Sequence, residues 1–287
     1  DVTVYVRQKM RQRTSLTQDN RVEIGFVAPD FSVETRLMQF SGQTGSTTFT
    51  IGFDPEVVWM DPEDRLADAI TARTHIITQN GTHNFEDVMF KAETTTLTDS
   101  ILLRAEHHWV TPDSMQSPLA GLTLSDNRYW TISGVHQHCQ LTGHFYYSRS
   151  SAFDYDILSD PGDSLVILYR PGAGFPWMPL PFTKTPSNAA GFIYVDNIMN
   201  GDYVLASWDE DYVGMNEREQ LLDQHLQISP NPASDSFWVK CGMDLPWSVS
   251  IFNSGGSLVF EKQNISDNKY RINVLGFDTG SYLVAVK

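Results

Sequence analysis

The apolar residues of this chain recur with a period of two almost everywhere, and that pattern excludes most folds. Apolar and polar residues alternate in Val22-Glu23-Ile24-Gly25-Phe26-Val27, in Phe31-Ser32-Val33-Glu34-Thr35-Arg36-Leu37 and in Thr48-Phe49-Thr50-Ile51. Successive side chains of a strand point to opposite faces, so alternation marks half-buried strands rather than helices. Pro29-Asp30 and Ser41-Gly42-Gln43-Thr44-Gly45 supply turns between them. Short strands about ten residues apart, with turn chemistry between, predict an antiparallel sandwich. The run 53–62, flanked by prolines, reads as its closing strand.

A second β-unit is expected over 76–212. Its strand candidates are 88–92, 100–105, 128–132, 143–147, 164–169, 191–195 and 201–207. The first unit then occupies 1–75. One short helix is predicted, Glu63 to Thr71, with Asp61 as its N-cap and Pro62 at its first position. The Pro/Gly/aromatic stretch 170–186 must be irregular. Residues 213–226 are polar and read as a linker, after which 227–287 form a third unit with strands at 236–240, 248–252 and 257–260. Asn253-Ser254-Gly255-Gly256 suits a hairpin, because Asn and Gly tolerate positive φ. The fold class is therefore all-β: two antiparallel sandwich units followed by a small sandwich.

The formal net charge is −15, and it is unevenly placed. Residues 227–287 hold five Lys/Arg and five Asp/Glu, so the whole excess lies before them. An acidic surface repels phosphate backbones and argues against nucleic acid as a partner. No apolar run reaches the roughly 18 residues needed to span a bilayer. The first residues, Asp1-Val2-Thr3-Val4-Tyr5-Val6, read as a strand without an initiator Met, so the chain is expected to be a fragment or mature piece. Cys139 and Cys241 fall in different units, and no structural disulfide is expected.

Catalytic motifs are absent: no His-Glu-x-x-His, Gly-x-Ser-x-Gly, paired Cys-x-x-Cys or phosphate-binding glycine loop occurs. His136 and His138 share one strand face and could ligate zinc with His144, but ordinary surface or turn histidines account for them better. No metal or catalytic residue is assigned. In His107-His108-Trp109 the tryptophan is read as core and the histidines as packing or edge residues. Trp130, Trp177 and Trp208 are the candidates for a sugar-binding surface. Asp61, Glu63 and Asp64 are read as helix-capping acids rather than an acid/base set.

Residues 228–235 read Ile-Ser-Pro-Asn-Pro-Ala-Ser-Asp, and the chain closes on Gly280-Ser281-Tyr282-Leu283-Val284-Ala285-Val286. Each proline fixes its own φ and pushes the residue before it toward extended geometry, giving a rigid opening to a β-module. Together these segments resemble the type A C-terminal sorting domain of the type IX secretion system of Bacteroidetes-type bacteria. The resemblance implies an Ig-like sandwich read by the outer-membrane translocon and its shuttle protein. Release or attachment to surface lipopolysaccharide follows, and the destination is secreted or cell-surface. The sorting-signal residues it implies are Pro230, Asn231, Pro232, Ala233, Gly255, Gly256, Gly280, Tyr282 and Val284, the first four setting the opening turn and the last three the final strand. Sheet edges would bind by strand addition. Such domains usually continue into one more basic strand, and this chain stops at Lys287 before it, so either that strand falls outside this piece or the signal is a shortened one.

The strand pattern of residues 1–54 followed by 53–58 also resembles the β-sandwich after the catalytic domain of gluzincin zinc aminopeptidases, and 104–113 and 163–171 resemble the region between that sandwich and the sorting domain in secreted members. That resemblance implies a zinc-bearing catalytic domain upstream of this chain and no cofactor within it. Three readings stay open: a non-catalytic portion of an exported protein, the accessory region of an aminopeptidase-like enzyme, and a glycan- or protein-binding module.

Overall fold

The computed structural model describes residues 1–10, 15–136, 139–158, 164–187, 189–209, 227–240, 246–253, 258–277, 279–280 and 282–286. Every regular element among them is a strand, and the sheets are antiparallel throughout. The chain divides into two compact units, Asp1–Asp211 and Tyr212–Lys287.

The first unit opens with β1 (Val2–Arg7), β2 (Asn20–Val27), β3 (Val33–Phe40), β4 (Thr44–Phe49) and β5 (Val57–Met60). Sheet β3-β2-β5 faces the pair β1-β4. The connection between β3 and β4 therefore crosses from one sheet to the other, and Phe26, Met38 and Ile24 fill the space between with Val4, Phe49 and Phe53. This small sandwich sits on the larger one through β5. Trp59 packs with Val27, Leu102 and Val135, and its indole N–H donates to Ser133 Oγ at 2.8 Å.

The helix expected over residues 63–71 does not form. Asp61 and Asp64 take left-handed backbone, with φ of 46° and 53°, which no N-cap uses. Asp61 instead accepts Leu66 N–H at 2.7 Å, closing a loop. The buried Arg104 guanidinium donates to Asp61 O (3.0 Å) and Pro62 O (2.9 Å) from a strand more than forty residues away. A long-range partner thus satisfies carbonyls that a helix would have used locally.

The larger sandwich contains β6 (Ile70–Ile77), β7 (Gly81–Phe85), β8 (Phe90–Thr94), β9 (Ile101–His108), β10 (Leu122–Leu124), β11 (Tyr129–Val135), β12 (Leu141–Ser148), β13 (Ser164–Arg170), β14 (Met178–Pro179), β15 (Thr183–Lys184), β16 (Ala190–Val195) and β17 (Gly201–Trp208). One sheet runs β14-β13-β17-β11-β9-β6 with β10 beside β17, and the other runs β15-β16-β12-β8-β7. Strand β6 spans residue 75 and pairs with β9 along its whole length. Between the sheets lie Trp130, Phe145, Tyr147, Tyr203, Ile167 and Leu103 among others. The far face of the first sheet is covered as well, by Val110, Leu122 and Trp177 against Leu168, Val204 and Ala206. Because both faces are covered, β9 and β17 are buried along nearly their whole length instead of at alternate positions, polar residues included.

Two local expectations are corrected. Residues 86–89 are a turn, not strand; Asp87 (φ 65°) and Met89 (φ 56°) take left-handed backbone there, and the strand starts at Phe90. Trp109 is 37% exposed while His107 is fully buried, the reverse of the expected packing. Trp130 and Phe153 both pack against the His107 ring, and Trp109 meets His107 and Phe153 as well. Apart from two two-residue strands, the 170–186 stretch is irregular as expected.

The second unit comprises β18 (Gln227–Ser229), β19 (Ser236–Lys240), β20 (Trp247–Asn253), β21 (Leu258–Ile265), β22 (Lys269–Asn273) and β23 (Tyr282–Val286). Two three-stranded sheets form, β18-β19-β22 and β21-β20-β23. They enclose an interior of their own: Phe237, Val239, Trp247, Val249, Ile251, Ile265 and Ile272. Chains of about sixty residues bury a smaller fraction of their surface than larger domains do and hold together narrowly, so one large buried side chain matters greatly. Trp247 is that side chain, fully buried with its N–H on Asp267 O at 2.6 Å. The proposed linker 213–226 and the hairpin residues Ser254, Gly255 and Gly256 lie outside the described residues.

Candidate functional site

The residues singled out in the tail fall into two places. Pro230, Asn231 and Pro232 are exposed in the turn from β18 to β19, and both X-Pro bonds there are cis. Ala233 turns inward and packs on the tail's core. Val274 N–H donates to Asp235 O at 2.9 Å, tying the end of this turn to the residue after β22. Tyr282 and Val284 lie on one side of β23 with Val286, packed against the core, while Leu283 between them is 66% exposed. Tyr282 meets the Phe277 ring at 5.1 Å. At Gly280 an added Cβ meets only open space, so steric demand is no reason for glycine there. Gly255 and Gly256 lie outside the described residues. Strand β23 pairs only with β20, so one of its sides is a sheet edge among the described residues.

The outer face of sheet β18-β19-β22 carries a feature that the sequence reading missed. Trp238 (41% exposed) stands directly opposite Arg271, and Lys240 directly opposite Lys269. All are solvent-facing because they alternate with the inward Phe237, Val239, Tyr270 and Ile272. The Lys269 ammonium lies 5.0 Å from the Trp238 ring centroid. Arg271 is steadied by Ser236 Oγ, which accepts from Nε at 3.0 Å and Nη2 at 2.8 Å.

In the first unit the polar groups form buried supports rather than a reactive site. Arg128 and Asp154 are both fully buried and pair at 2.7 Å, with Arg128 also donating to Tyr146 O and stacking on Trp130 at 4.3 Å. Burial raises the Asp154 carboxyl despite Arg128 and lowers the Arg128 guanidinium despite Asp154. Desolvation thus outweighs the attraction, as is common for buried pairs. Arg170 joins Asp202 (2.9 Å) to Asp113 (2.9 Å), and Asp113 also pairs with Lys9 and Arg7. Burial alone would raise Asp113, but Lys9 and Arg170 together hold it below its usual range. Arg7, Lys9, Val110 and Pro112 line an open cleft of about 720 Å³ beside it.

His107 Nδ1 accepts the Trp109 indole N–H at 2.9 Å, so the ring's proton sits on Nε2, which is buried without a partner. Burial, with Arg128 and His108 adding like charge, pushes its pKa down to about 2. It is a neutral packing residue. His136 bonds Asn200 at 2.8 Å and His144 bonds Glu93 at 3.1 Å; His138 lies outside the described residues. Among the described residues no three His, Cys, Asp or Glu side chains cluster to hold a metal. Trp130 and Trp177 are buried and Trp208 is largely covered, so none of the three forms a sugar-binding surface. No helix among the described residues is long and apolar enough to cross a membrane.

The tail is a six-stranded module with its own core, an exposed proline turn and a last strand paired on one side among the described residues. Residues 227–287 match the family described as the secretion system C-terminal sorting domain. No curated protein and no solved structure matches the chain. The tail is accordingly a type IX sorting domain, and it directs the protein through that system to the cell surface or beyond. Nothing comparable supports the aminopeptidase-like resemblance upstream.

Proposed function

We propose that the chain is cargo and address in one: residues 1–211 form an acidic β-sandwich body delivered outside the cell, and residues 227–287 are read by the outer-membrane translocon. The observation that supports it most is the separate interior around Trp247, because a signal must stay folded whatever precedes it. The exposed Pro230-Asn231-Pro232 turn and strand β23, carrying Tyr282 and Val284, are the parts offered to the machinery. The unpaired side of β23 suits strand addition. In a type IX-competent host, removing residues 227–287 should retain the body in the periplasm. Surface delivery of the truncated chain at the full-length level would reject the reading.

A second reading, glycan binding by the body, gains from one observation. The outer face of β8, β12 and β16 carries a strip of Tyr146, Phe192, Tyr194 and His144, with ring centroids 4.7 to 6.3 Å apart. Lys91 lies over Phe192, and Glu93 bonds His144. Aromatic rings on a sheet face, flanked by polar groups, suit stacking against sugar rings. A glycan array with the full chain should then show binding that Tyr194→Ala and Phe192→Ala remove. Silence at millimolar ligand would discard this reading.

A further inference from the structure

We infer that the secretion machinery reads the tail through the cationic face around Trp238, and that the receptor surface meeting it is acidic protein. The inference rests on the export reading above and names the chemistry of its partner. Lys240 and Lys269 are cross-strand neighbours, and like charges held opposite one another weaken a sheet. Arg271 adds a third positive charge on the same face. Among the described residues, no carboxylate comes within ion-pair distance of any of the three; every ion pair found lies in the body. These three cations stand on one face of a tail with as many acids as bases, so the remainder of that tail is net negative. The charge is concentrated, not dispersed.

Trp and Arg are the side chains most often found at the energetic centre of protein interfaces. Here they stand opposite each other at mid-strand, the indole 41% exposed and the guanidinium oriented by Ser236. A guanidinium fork matches a carboxylate in two bonds. The charge of the cargo supplies a second argument. The 15 excess acids all precede residue 227, so an acidic receptor repels the body while attracting this one face. Selectivity then comes from repulsion as well as attraction. The edge of β23 offers backbone pairing that many strands could use; the cationic face tells the receptor which strand it has met.

The test uses the full chain in a type IX-competent host, with surface delivery scored by antibody access on intact cells. Five forms are compared: the parent, the chain lacking 227–287, the triple reversal Lys240→Glu/Lys269→Glu/Arg271→Glu, the triple neutralisation to Gln, and Lys262→Glu on the other sheet. Thermal melting of each purified chain establishes that the tail is folded. Reversal should lower delivery about tenfold or more, the range by which electrostatic steering alters encounter. Neutralisation should fall between, and Lys262→Glu should match the parent. Should reversal disturb folding, the Gln variant carries the comparison. A folded reversal delivered at parental level, where the deletion is blocked, overturns this inference alone. A deletion delivered normally overturns the export reading and this inference with it.

Discussion

Lowering the pH from 6.5 to 4.5 should destabilise the body through one buried ring. His107 is fully buried, its Nδ1 is committed to the Trp109 N–H, and its pKa is depressed to about 2 by burial first and by Arg128 and His108 second. In the unfolded chain the same ring titrates near 6.5. A depressed pKa means that the unfolded state binds the proton first, so stability is fully present above 6.5 and falls as pH drops toward 2. The cost approaches about 1.4 kcal/mol per pH unit once the unfolded ring is protonated, and comes to about 2.3 kcal/mol between pH 6.5 and 4.5. Glu106 and Asp113, also depressed, begin to act as pH falls into the ordinary carboxylate range near 4, and they act equally in parent and variant. The assay is urea unfolding of the body at half-unit pH steps, comparing the parent with His107→Phe, which keeps the packing against Trp130 and Phe153. His75 and His144, both shifted down by burial, contribute equally to parent and variant and cancel in the difference. The stability difference between the two proteins should change by about 2 to 3 kcal/mol across the window. A pH-independent difference would refute the buried, neutral assignment.

Other substitutions probe other layers. Asp154→Asn strands the fully buried Arg128 charge and should cost the body about 3 to 5 kcal/mol, read as a fall of roughly 10 °C in its melting transition. By contrast, Asp87→Asn, which breaks the exposed Arg73 pair, should shift it by under about 1 kcal/mol. Gly134→Ala would place a Cβ 2.0 Å from Leu102 O, a backbone atom that cannot give way, so soluble yield and melting temperature should both fall. Trp247→Ala should remove about 3 to 5 kcal/mol from the tail alone, abolishing its near-UV signal and surface delivery while the body melts as before.

The strands were legible because alternation is local: 236–240 and 191–195 lie within a residue of the observed β19 and β16. Loop 61–69 was not, because the Arg104 guanidinium that holds its carbonyls comes from a distant strand. The inversion of His107 and Trp109 likewise depends on Trp130 and Phe153, which no local pattern reports. Strand β22 was overlooked although Tyr270 and Ile272 alternate with Lys269 and Arg271, a signal weakened by its charge. The cationic face was invisible for a different reason. Lys240 and Lys269 are far apart in sequence, and only the register of β19 against β22 sets them side by side. The motifs of the tail marked its two ends but not the surface between them.

The central claim is tested most directly by moving the tail. Residues 212–287 fused behind an unrelated folded reporter should carry it to the outside of a type IX-competent cell, and the same fusion should stay in the periplasm when the translocon is deleted. A reporter that remains periplasmic in both hosts, with the tail intact and folded, would contradict the account.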